Sequence, residues 1–296
     1  MSQIKTALLT FFTLALFIPL QVEAQNLELP SKSPKASISY TMGYTDININ
    51  YSAPAVRGRD IWGKLVSYDK VWRAGANKAT TVEFSTPVKV GREREELAAG
   101  KYSFFVIPKE EGSWTVVFNK VHDQWGSYEY DESQDAARVE AKPRFAGNTE
   151  RLSYEIVDQG LGRGYILLSW SDLKLVVFVS TDAYDDMKKR VEEAVAAAPE
   201  DQKGGIYANA ADVLIDLDDK RDQGAMAFVD MSVEKGATPY NHWVKAKILA
   251  VQEDYAGAVE TAKKAMELGE ANPEDRFYKN YKGTIERGIA RWEAEK

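Results

Sequence analysis

Apolar and polar residues alternate along the chain from Ala36 to Ser180, and from Tyr184 the spacing changes to that of a helix. Ala36, Ile38, Tyr40 and Met42 share one face of the first run. After Gly43, Ile47, Ile49 and Tyr51 share the face of the next. Alternation of this kind marks strands with one buried face. It returns at Thr81–Ser85, Val88–Val90, Tyr102–Ile107, Trp114–Asn119, Arg138–Ala141, Leu152–Ile156, Tyr165–Trp170 and Lys174–Ser180. Turn chemistry separates the runs: Lys109-Glu110-Glu111-Gly112, Gly160–Gly164 and Ser171-Asp172 each read as a hairpin connection. Short strands without interleaved helices predict an antiparallel β-sandwich or jelly roll.

Beyond Tyr184, Met187, Val191 and Val195 form one helical stripe that continues through Ala194–Ala198 to Pro199. Further helices are predicted at Gly204–Leu217, Arg221–Lys235, Tyr240–Gln252, Tyr255–Leu268 and Pro273–Glu295. Asp216–Asp219 reads as a solvated turn, since it lacks the spaced Gly and terminal Glu of a calcium loop. The spacing of Trp243, Ala246, Tyr255, Ala258, Ala262, Ala265 and Pro273 resembles a tetratricopeptide repeat, in which Ala positions let paired helices approach. The layout is therefore β then α. Residues 1–24 are read as a leader, 25–35 as a linker, 36–182 as the β domain and 184–296 as the helical domain.

Lys5, the apolar run Ala7–Leu20 and the small residues Val22 and Ala24 compose a secretory signal peptide with cleavage after Ala24. The expected compartment is the periplasm or the exterior, with no membrane span once the leader is removed. The chain has no cysteine, so the fold stands on core burial, and thiol nucleophiles, thiolate zinc sites and lipid attachment at a mature N-terminal Cys are excluded. Net charge is −7, most of it carried after Tyr184, and this is not the basic footprint of a nucleic-acid binder. A local basic concentration at Arg57, Arg59, Lys64, Lys70, Arg73 and Lys78 hints at an anionic ligand.

Four blocks recur in an order that resembles the DUF2911 family. They are Ser33–Ser37, Arg59–Val66, Val71–Asn77, and Leu97–Ser103 taken with Asn119-Lys120 and Gln124–Asp131. Members are exported proteins, mostly of Bacteroidetes, without an assigned function. The resemblance covers about Ser33–Asp182 and implies a fold and a compartment, not an activity. The family's usual acid after Gly-Ala-Asn is Lys78 here, which counts against a metal role for that loop.

The candidate ligand-binding residues are Arg59, Trp72, Arg73, Asn77, Gln124, Trp125 and Tyr128. Arg73 offers a five-donor fork suited to carboxylate or phosphate, Asn77 a donor and an acceptor, and Trp72 a stacking face. The competing expectation is structural, with Arg73 paired to a carboxylate and Asn77 bonded to its own loop. His122–Asp131 gathers Gln124, Trp125 and Tyr128 in a loop, where function concentrates and where aromatic rings suit a sugar. The two histidines, His122 and His242, have no metal partners at short spacing, and no Gly-x-Ser-x-Gly elbow occurs. No cofactor is implied. The leading expectation is a non-enzymatic envelope protein that binds a glycan, peptide or anionic small ligand through the sandwich loops. The alternatives are a scaffold whose helical half binds a protein partner, and a hydrolase of unrecognised type.

Overall fold

A computed structural model describes residues 29–217 and 223–296. The leader with its cleavage point after Ala24, and the Asp218-Asp219 part of the acidic turn, lie outside the described residues.

The first two alternating runs pair as an antiparallel hairpin, β1 (Lys35–Met42) with β2 (Thr45–Ser52). Ile47 and Ile49 of β2 are fully buried, whereas β1 is a sheet edge that buries only Met42 and leaves Tyr40 exposed. Sheet growth continues through β3 (Thr80–Phe84), β6 (Gly100–Ile107), β7 (Trp114–Asn119) and β8 (Asp135–Ala141), in the order β1-β2-β3-β6-β7-β8. A second sheet has the order β5-β4-β10-β9, built from β4 (Val88–Val90), β5 (Glu95–Leu97), β9 (Arg144–Asp158) and β10 (Arg163–Ser180). Every pairing within both sheets is antiparallel.

One core lies between the sheets. Val82, Phe104, Val116 and Phe118 come from the first, and Leu152, Ile166, Leu168 and Val177 from the second. The architecture is the antiparallel sandwich that the alternation predicts. One turn is corrected: Ser171-Asp172 does not connect two strands but lies inside the continuous strand β10. Ser171 takes a left-handed backbone (φ +53°), and the register against β9 shifts on either side of it. A bulge bends a strand without ending it, so a dipeptide with turn character sits in mid-ladder.

Six helices follow: α1 (Ala183–Ala197), α2 (Glu200–Leu217), α3 (Gln223–Lys235), α4 (Pro239–Val251), α5 (Tyr255–Ala271) and α6 (Arg276–Glu293). Successive helices pack on one another as hairpins. Ala246, Ala258, Ala262 and Ala265 are completely buried in one cluster with Trp243, Ile285 and Trp292, the close approach that small side chains permit. Thr238 and Asn241 cap each other's backbone N–H groups at the start of α4, and Pro239 occupies its first turn. Sandwich and helices belong to one compact unit, Lys32–Lys296. Only Thr181-Asp182 separates β10 from α1. Lys89 pairs with Asp182 at 2.9 Å, and the Arg190 guanidinium lies over the Tyr44 ring at 4.5 Å.

Candidate functional site

The segment Val71–Thr80 runs into β3 as a shaped turn. Trp72 exchanges two backbone hydrogen bonds with Val106 of β6, at 2.8 and 2.9 Å, which extends the ladder beyond β3. Alternation then sends Trp72 into the sandwich, where its ring stacks on Trp170 of the opposite sheet (5.7 Å, 16°). Val71 instead packs on the outer face, against the small cluster of Ala79, Phe105 and Val117. Ala74 and Asn77 both take left-handed backbones (φ +49° and +59°), a conformation that suits Asn and costs Ala roughly 1 kcal/mol.

Two hydroxyls hold Ala74 in place. Its carbonyl accepts from Thr80 Oγ1 at 2.9 Å and from the phenol of Tyr154, on β9 of the other sheet, at 2.7 Å. Burial pushes the Tyr154 phenol well above its ordinary pKa, so it stays a proton donor. Gly75 has no room for a side chain, because a Cβ there would lie 2.8 Å from Thr80 Oγ1 and 3.2 Å from the Ser52 carbonyl. The Asn77 amide donates to Ser52 Oγ (3.2 Å) and to the Ser33 carbonyl (3.4 Å), tying the turn to β2 and the N-terminal segment rather than to its own loop.

The β7–β8 loop lies beside this turn on the outer face. Ala79 N–H donates to the Gln124 carbonyl and Gly126 N–H to the Asn77 carbonyl, both at 3.0 Å, so residues 77–79 and 124–126 run antiparallel. Lys78 Nζ contacts Asp123 Oδ1 at 2.6 Å, and this hydrogen bond holds the Asp123 carboxyl below its usual pKa range. Ser127 Oγ donates to the Val71 carbonyl at 2.9 Å. Gln124 is buried, and its amide donates to the Val121 carbonyl and Asn119 Oδ1, so it works inside the loop.

Of the side chains of the loop pair that stay open to solvent or ligand, Trp125, Tyr128 and Arg73 lie around Gly126. Trp125 is 61 % and Tyr128 84 % exposed. The Arg73 guanidinium forms no hydrogen bond or ion pair with any described residue, although its Nε is buried from solvent. The carboxylate partner expected for Arg73 is therefore absent among the described residues. A Cβ on Gly126, itself left-handed at φ +74°, would meet Tyr128 Cε2 at 2.9 Å and Arg73 Nη1 at 3.1 Å. The bare glycine lets the fork and the ring edge approach one point.

Arg59 does not join this group. Its Nε and Nη2 donate to the carbonyls of Val56 and Ala55 (3.0 and 2.6 Å), and it borders a separate cleft of about 580 Å³. Trp62 and Trp114 contribute to the lining of that cleft. Both belong to a four-tryptophan cluster: Trp62 contacts Trp114, Trp72 and Trp170 at centroid distances of 4.9, 5.7 and 5.9 Å. The Trp62 indole N–H donates to Asp172 Oδ1 at the β10 bulge (3.1 Å), which gives the misplaced turn a structural use. Among the described residues no group of three or more His, Cys, Asp or Glu is placed to hold a metal ion, and no helix is long and apolar enough to cross a membrane.

In the helical half, Tyr240, Phe277 and Tyr281 form a ring series across α4 and α6 at 5.0 and 4.7 Å. Tyr281 is half-exposed, and the Tyr240 phenol, pushed up in pKa chiefly by burial, donates to Asn209 Oδ1 at 2.9 Å. His242 is half-buried, which lowers its pKa, and its Nδ1 lies 3.0 Å from Asn241 Oδ1.

No curated protein and no solved structure matches the chain. One family model does, described as "Protein of unknown function (DUF2911)", and it spans residues 33–179. That span takes in both loops of the outer face, the tryptophan cluster and the sandwich core. Residues 33–179 of the chain are thus a DUF2911 domain.

Proposed function

We propose that this is an exported binding protein whose sandwich takes an anionic ligand on the outer-face loops Val71–Ala79 and Val121–Tyr130. The observation that carries the reading is the Arg73 guanidinium, unpaired and with its Nε out of solvent. A buried polar group without a partner costs free energy that a matching ligand oxyanion recovers. Arg presents two parallel N–H groups to a carboxylate or phosphate, and the exposed rings of Trp125 and Tyr128 offer faces for the ligand body. Asn77 and Gln124 serve by fixing the two loops against each other, and export rests on the leader sequence. Nothing in the loop pair offers a nucleophile beside a base, so binding is a better reading than hydrolysis.

The test pairs Arg73→Lys and Arg73→Ala with the wild type in thermal melts and in titrations with acidic oligosaccharides, carboxylate-ended peptides and inorganic phosphate. Arg73→Lys is expected to melt like the wild type and to lose the ligand-dependent rise in midpoint, because a point charge does not reproduce the fork. The reading fails if no anionic ligand shifts the wild-type midpoint. It fails equally if the shift survives Arg73→Lys unchanged.

A further inference from the structure

The tryptophan-lined cleft bordered by Arg59 is separate from Arg73 and the outer-face loops, none of whose residues line it. About 580 Å³ is ample for a small ligand. Trp62, Tyr68, Pro143, Phe145 and Leu173 are among its apolar lining, with the buried Trp114 behind them. Phe145 stands 87 % exposed on β9, an unusual position for a large apolar ring.

Asp60, Lys64, Lys109, Glu110 and Lys142 border the cleft, all are exposed, and none forms a side-chain hydrogen bond or ion pair with a described residue. Both signs are therefore present and unspent around an aromatic surface. A singly charged ligand would meet wall groups of its own sign. A hydroxyl, by contrast, donates to a carboxylate and accepts from an ammonium. Many hydroxyls on a ring with one apolar C–H face match both the aromatic surface and the two-signed wall. The indole N–H of Trp62 is already taken by Asp172, which fixes the ring for stacking rather than for donation.

We infer that this cleft binds a neutral saccharide, held by stacking on Trp62 and Phe145 and by hydrogen bonds from its hydroxyls to the unpaired carboxylates and ammonium groups. Trp62 is in contact with Trp72, Trp114 and Trp170, so occupancy is read directly in the intrinsic fluorescence of the cluster.

The experiment titrates the full chain with neutral oligosaccharides of glucose, mannose, xylose, galactose and N-acetylglucosamine, by tryptophan fluorescence and calorimetry. Binding of at least one neutral oligosaccharide is expected, with a fluorescence change. Phe145→Ala should weaken it about tenfold, the worth of one aromatic stacking contact. Its thermal midpoint should not move, since the ring is exposed. Trp62→Phe, which keeps an aromatic in the cluster, should bind more weakly and give a smaller signal, and Arg73→Lys should bind as the wild type does. Failure of every neutral oligosaccharide to bind overturns the inference, as does wild-type affinity in both Phe145→Ala and Trp62→Phe. Loss of saccharide binding in Arg73→Lys assigns the sugar to the outer-face loops and overturns it too. Loss of anion binding alone in that variant leaves the cleft standing.

Discussion

Removing the Tyr154 hydroxyl is the sharpest probe of what shapes the Val71–Thr80 turn. Tyr154→Phe deletes one of two hydrogen bonds to the Ala74 carbonyl and changes little else, because the ring is buried and keeps its edge contacts with Tyr51 and Phe104 at 4.8 and 6.0 Å. The acceptor still has Thr80 Oγ1 at 2.9 Å, so the cost is one net hydrogen bond, about 1 kcal/mol. Thr80→Val removes the other donor at similar volume and should also cost about 1 kcal/mol, for the same reason. The double variant is different in kind. Ala74 is fully buried, and its carbonyl would then have no donor, adding a desolvation penalty of roughly 1–3 kcal/mol. Denaturant melts of the four proteins, followed by tryptophan fluorescence, close a thermodynamic cycle. The expected result is a double variant worse than the sum of the singles by more than about 0.5 kcal/mol, the limit of ordinary additivity. Additive costs would refute the claim that these two hydroxyls jointly satisfy a carbonyl held in a strained conformation.

Three further outcomes follow from the same structure. Burial raises the Tyr154 pKa above its unfolded value near 10.0, so its stabilisation is complete below that pH and is lost as pH rises above it. Urea midpoints between pH 8 and pH 11 (about the range over which an ordinary phenol ionises) should fall less steeply in Tyr154→Phe than in the wild type. Glu200 is held by Lys203 and Lys235 at 2.7 and 2.6 Å, which lowers its pKa to about 2. That contribution is present above the unfolded pKa near 4.5 and fades as pH falls toward 2, so Glu200→Gln should flatten the acid limb of a helical circular-dichroism titration. In α5, a Cβ on Gly269 would lie 2.0 Å from Tyr278 Cδ2, a buried ring on α6. Gly269→Ala should therefore lower the thermal midpoint although Ala is the better helix former by about 1 kcal/mol, and a raised midpoint would show that the ring yields freely.

What the sequence made legible depended on how local the cause was. Ile47 and Ile49, or Val116 and Phe118, declare a buried face by themselves, and the strands they mark are where the alternation puts them. Glu95–Leu97 was hidden because a three-residue strand with two exposed glutamates has no periodicity to read. Ser171-Asp172 misled because a left-handed residue looks the same in a bulge as in a hairpin. At the outer face, the types of Arg73, Trp125 and Tyr128 were visible, but the partners of Asn77 and Gln124 were not. Ser33, Ser52 and Asn119 lie far along the chain or point inward only once the sheet exists. The cleft is the extreme case. Trp62 stands in a block that sequence alone picks out, yet Trp114, Phe145 and Asp172 come to the cleft from three separate strands.

The two proposed sites share a frame, and the frame is rigid for reasons that can be named. Trp72 points inward to the cluster that backs the cleft, and Arg73, the next residue, points outward to the exposed rings. Both positions are set by the turn that follows them. That turn is fixed from the first sheet by Thr80 and Ser52 and from the second by Tyr154, with no space at Gly75 for it to settle elsewhere. Binding groups mounted on such a frame lose little freedom when a ligand arrives, so more of the contact energy appears as affinity. This accounts for why the segment combines features that look wasteful when taken singly: a strained alanine, an asparagine spent on remote partners, and a phenol buried to reach one carbonyl. Each is a cost in the free protein that keeps an inward ring and an outward fork in register with each other.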